Sequence, residues 1–197
     1  MNRKKSFASL LKITCFMVCS CISIQPVWAA KTDSESIIDT AMGTDCSVRV
    51  YGFDGTAKDI MDMLSDIENK YLSWRIEGSD IANINENASE SEPVMPSKWT
   101  YSYLENVLDL ARKSSGAFDP TLGRVSQLWN LESDNPYIPS KSELTELLLE
   151  TGWEKISLSD GEVFLKDSVQ IDLGAVGKGI GCDEARKMLE EADADAA

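Results

Sequence analysis

One run, Val169-Gln170-Ile171-Asp172-Leu173-Gly174-Ala175-Val176-Gly177-Lys178-Gly179-Ile180-Gly181, constrains this chain more than any other. Val169 to Ile171 is short and β-branched, which predicts a buried strand. The strand ends on an acid, Asp172, and a cluster of glycines with Lys178 follows it. Cys182 to Glu191 then predicts a helix with Ala185, Met188 and Leu189 on one face. Strand, glycine turn and helix in that order aim backbone N–H groups and a helix dipole at an anion. An acid, a lysine and bare amides at one turn point to a phosphate held close to a metal or a reacting oxygen. Asp172 and Lys178 are therefore the candidate catalytic pair. Two common phosphate motifs are excluded. Gly177-Lys178 is followed by Gly179 rather than Ser or Thr, and the glycine order does not fit G-x-G-x-x-G. The competing reading is a tight turn whose glycines only permit close packing.

The leader is set apart from the rest. Arg3, Lys4 and Lys5 precede a mostly apolar stretch from Phe7 to Ile24, and Val27-Trp28-Ala29 offers a small-x-small cleavage site. Residues 1–30 are expected to be an export signal, with residues 31–197 as the working domain. A second ending is open: Val18-Cys19-Ser20-Cys21 approximates a lipobox, so lipidation of Cys21 would tether the domain to a membrane. The expected address is periplasmic, or the outer face of the cell membrane. The whole chain carries a net −14, and the four basic residues before residue 30 have no acidic counterpart there, so the remainder stands at −18. Such a surface excludes a nucleic-acid footprint. It welcomes a metal cation and requires local positive charge wherever a phosphate is held. The chain has no histidine, which removes Ser-His-Asp catalysis, histidine-ligated zinc and histidine bases. Oxygen ligands and a hard cation such as Mg²⁺ remain. Cys46 and Cys182 are the cysteines outside the leader, and their pairing is left open.

Along the chain, Ile37 to Tyr51 predicts a strand interrupted at Met42-Gly43-Thr44. Thr56 caps a helix to about Tyr71, Ser79 caps a short helical turn, and Ser97 caps a further helix. Gly116 to Gly123 is a loop, followed by a short helix to Trp129. Ser140 and Glu143 form a capping box for a helix ending at Gly152, and Asp160-Gly161 turns a hairpin. The fold class is α+β: a mixed α/β domain with an antiparallel sheet and packed helices. A last helix with no strand behind it is a poor terminus, so the chain reads as cut short.

Four separated motifs then line up: Met42-Gly43-Thr44; Ser73-Trp74 with Ser79-Asp80-Ile81 and Asn85; Gly116-Ala117-Phe118-Asp119-Pro120-Thr121 with Leu128-Trp129; and Asp172 through Gly179 with Asp183. In this order and spacing they resemble the ApbE-type flavin transferases, exported bacterial proteins that are often lipoproteins. The resemblance spans about residues 37–192. It implies an ApbE, T-fold-like architecture whose C-terminal half, with its late Asp-x-x-x-Thr motif of Mg²⁺ ligands, is missing. It implies cleavage of FAD, the substrate, with Mg²⁺, transfer of FMN to a Ser or Thr hydroxyl of an acceptor flavoprotein, and release of AMP. By motif match, Met42, Trp74, Ala117, Phe118, Asp119, Asp172 and Lys178 would line the FAD site, and Ala175 would offer its backbone carbonyl to Mg²⁺. The alternatives are an exported FAD pyrophosphatase giving FMN and AMP, and a non-catalytic FAD-binding lipoprotein. Arg49, Arg75 and Arg124 carry no motif signal and read as surface charge.

Overall fold

The computed structural model describes residues 34–52, 55–131 and 133–192. The export signal and the Cys21 lipobox lie outside the described residues. Strands β1 (Ser34–Ala41) and β2 (Thr44–Tyr51) pair antiparallel, Ala41 opposite Thr44 and Ser34 opposite Tyr51. The expected single interrupted strand is thus a hairpin. Met42 and Gly43 both take positive φ, 54° and 67°, the backbone that a two-residue hairpin turn requires. Along β2 the inward positions Cys46, Val48 and Val50 alternate with exposed ones, and Val50 packs with Ala57 and Ile60.

Helix α1 (Ala57–Ile67) starts in a reciprocal capping box: the Asp59 N–H donates to Thr56 Oγ1 (3.1 Å) and the Thr56 N–H to Asp59 Oδ2 (2.7 Å). It runs on into one π-helical turn, Glu68–Leu72, a widening often found beside functional sites. Helix α2 (Asp80–Asn87) is longer than the single turn expected at Ser79. Helix α3 (Lys98–Lys113) buries Leu104, Val107, Leu108 and Ala111. Asp80 joins the two starts, accepting from the Ser97 N–H (3.1 Å), Ser97 Oγ (2.5 Å) and Thr100 Oγ1 (2.6 Å). Helices α4 (Gly123–Trp129) and α5 (Lys141–Glu150) follow, α5 opening on the Ser140–Glu143 capping box. Strands β3 (Ile156–Ser159) and β4 (Glu162–Leu165) form the hairpin expected around Asp160-Gly161, with Val94 bonded to Val163 beside it. The α+β expectation holds, with the strands in two separate antiparallel hairpins.

Two expectations at the opening motif are corrected. Val169 and Ile171 are buried, but they join no sheet; Gln170 makes a single parallel bridge to Leu122. The last helix, α6, begins at Gly174 rather than Cys182 and runs to Glu191, so the glycine turn is its first two turns. Close packing outweighs the poor helix propensity of glycine there: a Cβ on Gly181 would stand 2.8 Å from Leu64 Cδ2 and 3.0 Å from Met42 Sδ. The main core draws Ile81, Ile84, Leu104, Val163, Ile171 and Leu173 together, each such burial contributing roughly 1.5–3 kcal/mol. A polar clasp joins α3 to α6, where Tyr103 donates to Glu184 and Lys187 Nζ donates to the same carboxylate (2.5 Å). Cys46 and Cys182 are both free thiols. Among the described residues, no helix is long and apolar enough to cross a membrane.

Candidate functional site

Asp172 is placed by its neighbours on both sides. Before it, the Asn85 side chain takes the role of a missing strand, accepting the Ile171 N–H (2.7 Å) and donating to the Ile171 carbonyl (2.8 Å). On the other side the Asp172 N–H donates to the Pro120 carbonyl (2.8 Å) and the Gly123 N–H to the Gln170 carbonyl (3.1 Å). The Gly116–Gly123 loop and the acid-bearing segment, joined by bonds that span 47 and 52 residues of sequence, are thereby tied main chain to main chain. Asp172 Oδ1 accepts the Gly174 N–H (2.8 Å), an Asx turn that leads into α6. The Val176 and Gly177 N–H groups both turn back to the Leu173 carbonyl. The expected cradle of bare amides is therefore largely spent within the chain. Positive charge in the cleft comes from side chains, reinforced by the α6 dipole.

The cleft has a volume of about 320 Å³, and Met42, Glu68, Leu72, Trp74, Asp172 and Lys178 are among its lining residues. Four of the sequence-predicted positions, Met42, Trp74, Asp172 and Lys178, thus share one cavity. Met42 arrives on the hairpin turn, where the Glu68 carboxylate accepts its N–H (2.7 Å). Trp74 and Arg75 sit on the loop that follows the π-turn. Ser79 fixes that loop, with its hydroxyl donating to the Ser73 carbonyl (2.5 Å) and accepting from the Ala82 N–H (3.1 Å). The Trp74 ring packs on the main core, and its Nε1–H is buried with no hydrogen-bond partner. The Arg75 guanidinium lies 4.2 Å from the Trp74 ring centroid.

The remaining predicted positions line other surfaces. Ala117 is exposed, and Phe118 is half-buried against the main core. Asp119 bonds within its own loop, accepting from the Thr121 N–H (2.9 Å) and hydroxyl (2.6 Å), while Thr121 Oγ1 accepts the Gly152 N–H (2.8 Å). These residues do not line the cleft; their loop is tied to it only through Pro120, whose carbonyl accepts the Asp172 N–H. Ala175 borders a separate recess with Tyr103, Asn106 and Asp183. As the second residue of α6 it has a carbonyl that regular helix geometry turns toward the N–H four residues on. Among the described residues no group of three or more His, Cys, Asp or Glu could hold a metal ion, so a Mg²⁺ site is not complete among them. Sequence reasoning missed Glu68 and Arg75, which both line the cleft. Adjacency to Trp74 was the signal that could have found Arg75.

Residues 42–197 match the model of the ApbE family. The chain is 30% identical over 174 residues to a FAD:protein FMN transferase of Treponema pallidum, covering 81% of this chain and 48% of that protein. It is 32% identical over 129 residues to a FAD:protein FMN transferase of Chlamydia muridarum, covering 64% and 40%. The crystal structure of the ApbE protein of Thermotoga maritima aligns with a TM-score of 0.72 at 31% identity, over 82% of this chain and 54% of that one. The flavin transferase ApbE of Vibrio cholerae aligns with a TM-score of 0.73 at 21% identity, over 83% and 55%, a likeness of fold. The chain spans about half the length of the curated relatives it matches.

Proposed function

Because the chain belongs to the ApbE family, we propose that its cleft is the nucleotide end of a site that moves FMN from FAD onto a Ser or Thr hydroxyl of an acceptor protein and releases AMP. One observation carries the reading: Met42, Trp74, Asp172 and Lys178, from three motifs remote in sequence, line one cleft, and a main-chain bond ties the fourth motif, at Pro120, to Asp172. In the reaction, the acceptor oxygen attacks the phosphorus of the FMN half. The bond to the bridging oxygen breaks, and AMP leaves with that oxygen. The hydroxyl proton needs an acceptor, and Asp172 is the carboxylate nearest the start of α6. Lys178 offsets charge on the phosphate oxygens. Mg²⁺ dependence belongs to the proposal as a property of the complete enzyme, whose further metal ligands the described residues do not provide.

The test uses a complete version of the protein with FAD, Mg²⁺ and a Ser/Thr-bearing acceptor. The acceptor should gain one FMN by mass spectrometry, AMP should appear in equal amount, and EDTA should abolish both. Lys178→Ala should slow turnover about a hundredfold. An acceptor of unchanged mass under these conditions would sink the reading. AMP released without any acceptor would favour the pyrophosphatase, and FAD bound with no AMP at all the binding lipoprotein. That last reading is motivated by the described residues, among which no metal-ligand cluster occurs. Export through residues 1–30 is part of the same proposal, and incorporation of labelled fatty acid, lost in Cys21→Ala, separates a lipid anchor from cleavage after Ala29.

A further inference from the structure

Strand β2 ends its sheet on one side. Among the described residues its one strand neighbour is β1, so its other edge carries unpaired main-chain donors and acceptors. Ala41 stands opposite Thr44 across the two-residue turn, and such a turn closes on a pair that exchanges main-chain bonds. Bonded and non-bonded pairs alternate from there. Thr44, Cys46, Val48 and Val50 therefore spend their main-chain groups on β1, while Asp45, Ser47 and Arg49 direct theirs to the open edge. An apolar cavity of about 670 Å³ borders the same edge, lined by every residue from Thr44 to Val48 together with Ile60, Leu64 and Leu189. A strand that showed the cavity only one face would line it with alternate residues; the unbroken run means that the edge itself opens there. The sequence along this edge is self-complementary. With a second β2 turned antiparallel about Ser47, Asp45 of each copy stands opposite Arg49 of the other, and Cys46 opposite Val48. The charged pairs fall on the exposed face and the half-buried Cys46 and Val48 on the inward one. Among the described residues neither Asp45 nor Arg49 has an ion pair of its own. Strand β1 carries Glu35 and Asp39 and no cation, so pairing with itself would gain no such contact.

We propose that the open edge of β2 is the interface of a twofold dimer: β2 of one copy of this chain adds to β2 of another, making a four-stranded antiparallel sheet that covers the apolar cavity of each. The test is sedimentation equilibrium of the purified chain over a range of concentrations, for wild type, Asp45→Arg, Arg49→Asp and the variant with both exchanges. Asp45 and Arg49 are exposed, so the variants should fold, and far-UV circular dichroism checks that they do. Wild type should be a dimer that dissociates on dilution. Each single exchange turns two opposite-charge pairs into two like-charge pairs, which predicts about a tenfold or greater rise in the dimer Kd. The variant with both exchanges restores opposite charges in both pairs and should dimerise as wild type does. An equal mixture of the two single variants should dimerise too, because the two copies then present opposite charges to one another throughout. Amide exchange at Asp45, Ser47 and Arg49 should slow as the dimer forms. A wild-type chain that stays monomeric at every concentration overturns the proposal. A dimer that both single exchanges leave equally tight overturns it by placing the contact elsewhere, and so does a loss that neither the double exchange nor the mixture restores.

Discussion

Replacing Gly123 with alanine tests the tie that positions Asp172. The Cβ would stand 2.8 Å from the Gln170 carbonyl oxygen and 3.0 Å from the Gln170 Cβ. That oxygen belongs to main chain and already accepts the Gly123 N–H at 3.1 Å, so it cannot swing aside as a flexible side-chain tip would. The two segments must separate. Forcing a methyl into such a contact costs about 1–3 kcal/mol, and the lost hydrogen bond adds about 0.5–1.5 kcal/mol. Alanine at the first position of α4 returns at most about 1 kcal/mol of helix propensity. The balance is a destabilisation of about 2 kcal/mol, or a Tm lower by roughly 4–8 °C for a domain of this size. Thermal unfolding followed by far-UV circular dichroism reads this directly, with urea midpoints as a second measure. FAD affinity should fall as well, because the Asp172–Pro120 bond belongs to the same seam. A midpoint equal to or above wild type would refute the reasoning: the gap at Gly123 would open freely, and this contact would not be what holds the acid in place.

Asn85→Ala removes both bonds to Ile171 and leaves two buried main-chain groups without partners, an expected loss of about 2–4 kcal/mol by urea unfolding; Asn85→Asp, which keeps only an acceptor, should recover part of it. Gly179→Ala meets nothing within 4 Å and should raise stability by about 0.4–1 kcal/mol, whereas Gly181→Ala should show no gain because its Cβ strikes Leu64 and Met42. The pair is read side by side in thermal melts. Burial pushes the Glu184 carboxyl up, but hydrogen bonds from Lys187, Tyr103 and Trp99 bring it net below its ordinary value. A lowered folded value means that its stabilisation is present above the unfolded pKa of about 4.3 and is lost as pH falls through the folded value. Glu184→Gln should therefore reduce stability at pH 7 and flatten the acid limb of the stability–pH curve. An unchanged acid limb would show that the clasp carries no linked proton.

Much of the scaffold was legible because its signals are local. The hydroxyl caps at Thr56, Ser79, Ser97 and Ser140 all start helices, and Asp160-Gly161 turns a hairpin at the expected register. Where sequence reasoning failed, the deciding contact was remote. Methionine is not a turn residue, so the Met42-Gly43 hairpin was hidden; the Glu68 carboxylate on the Met42 N–H supports it from 26 residues away. Val169–Ile171 has the composition of a strand, but its partner is a side-chain amide on a helix. The glycines of α6 read as a turn because propensity ignores Leu64 and Met42, which leave no room for a Cβ at Gly181. The site was half legible for a related reason. Met42, Trp74, Asp172 and Lys178 belong to motifs and meet in the cleft. Glu68 and Arg75 belong to none, and the π-turn and the Ser79-pinned loop bring them there.

Helix α2 is only eight residues long, yet both sides of the cleft hang from it. Its N-terminal Ser79 holds the loop that bears Trp74, and Asn85, nearly two turns on, holds the strand-like segment that leads to Asp172. The rigid rise of those turns acts as a gauge block, fixing the width of the aperture a nucleotide would enter. The Asp80 bonds to Ser97 and Thr100 anchor that block against α3. A change at Asp80 would thus reset the aperture without altering any side chain that lines it.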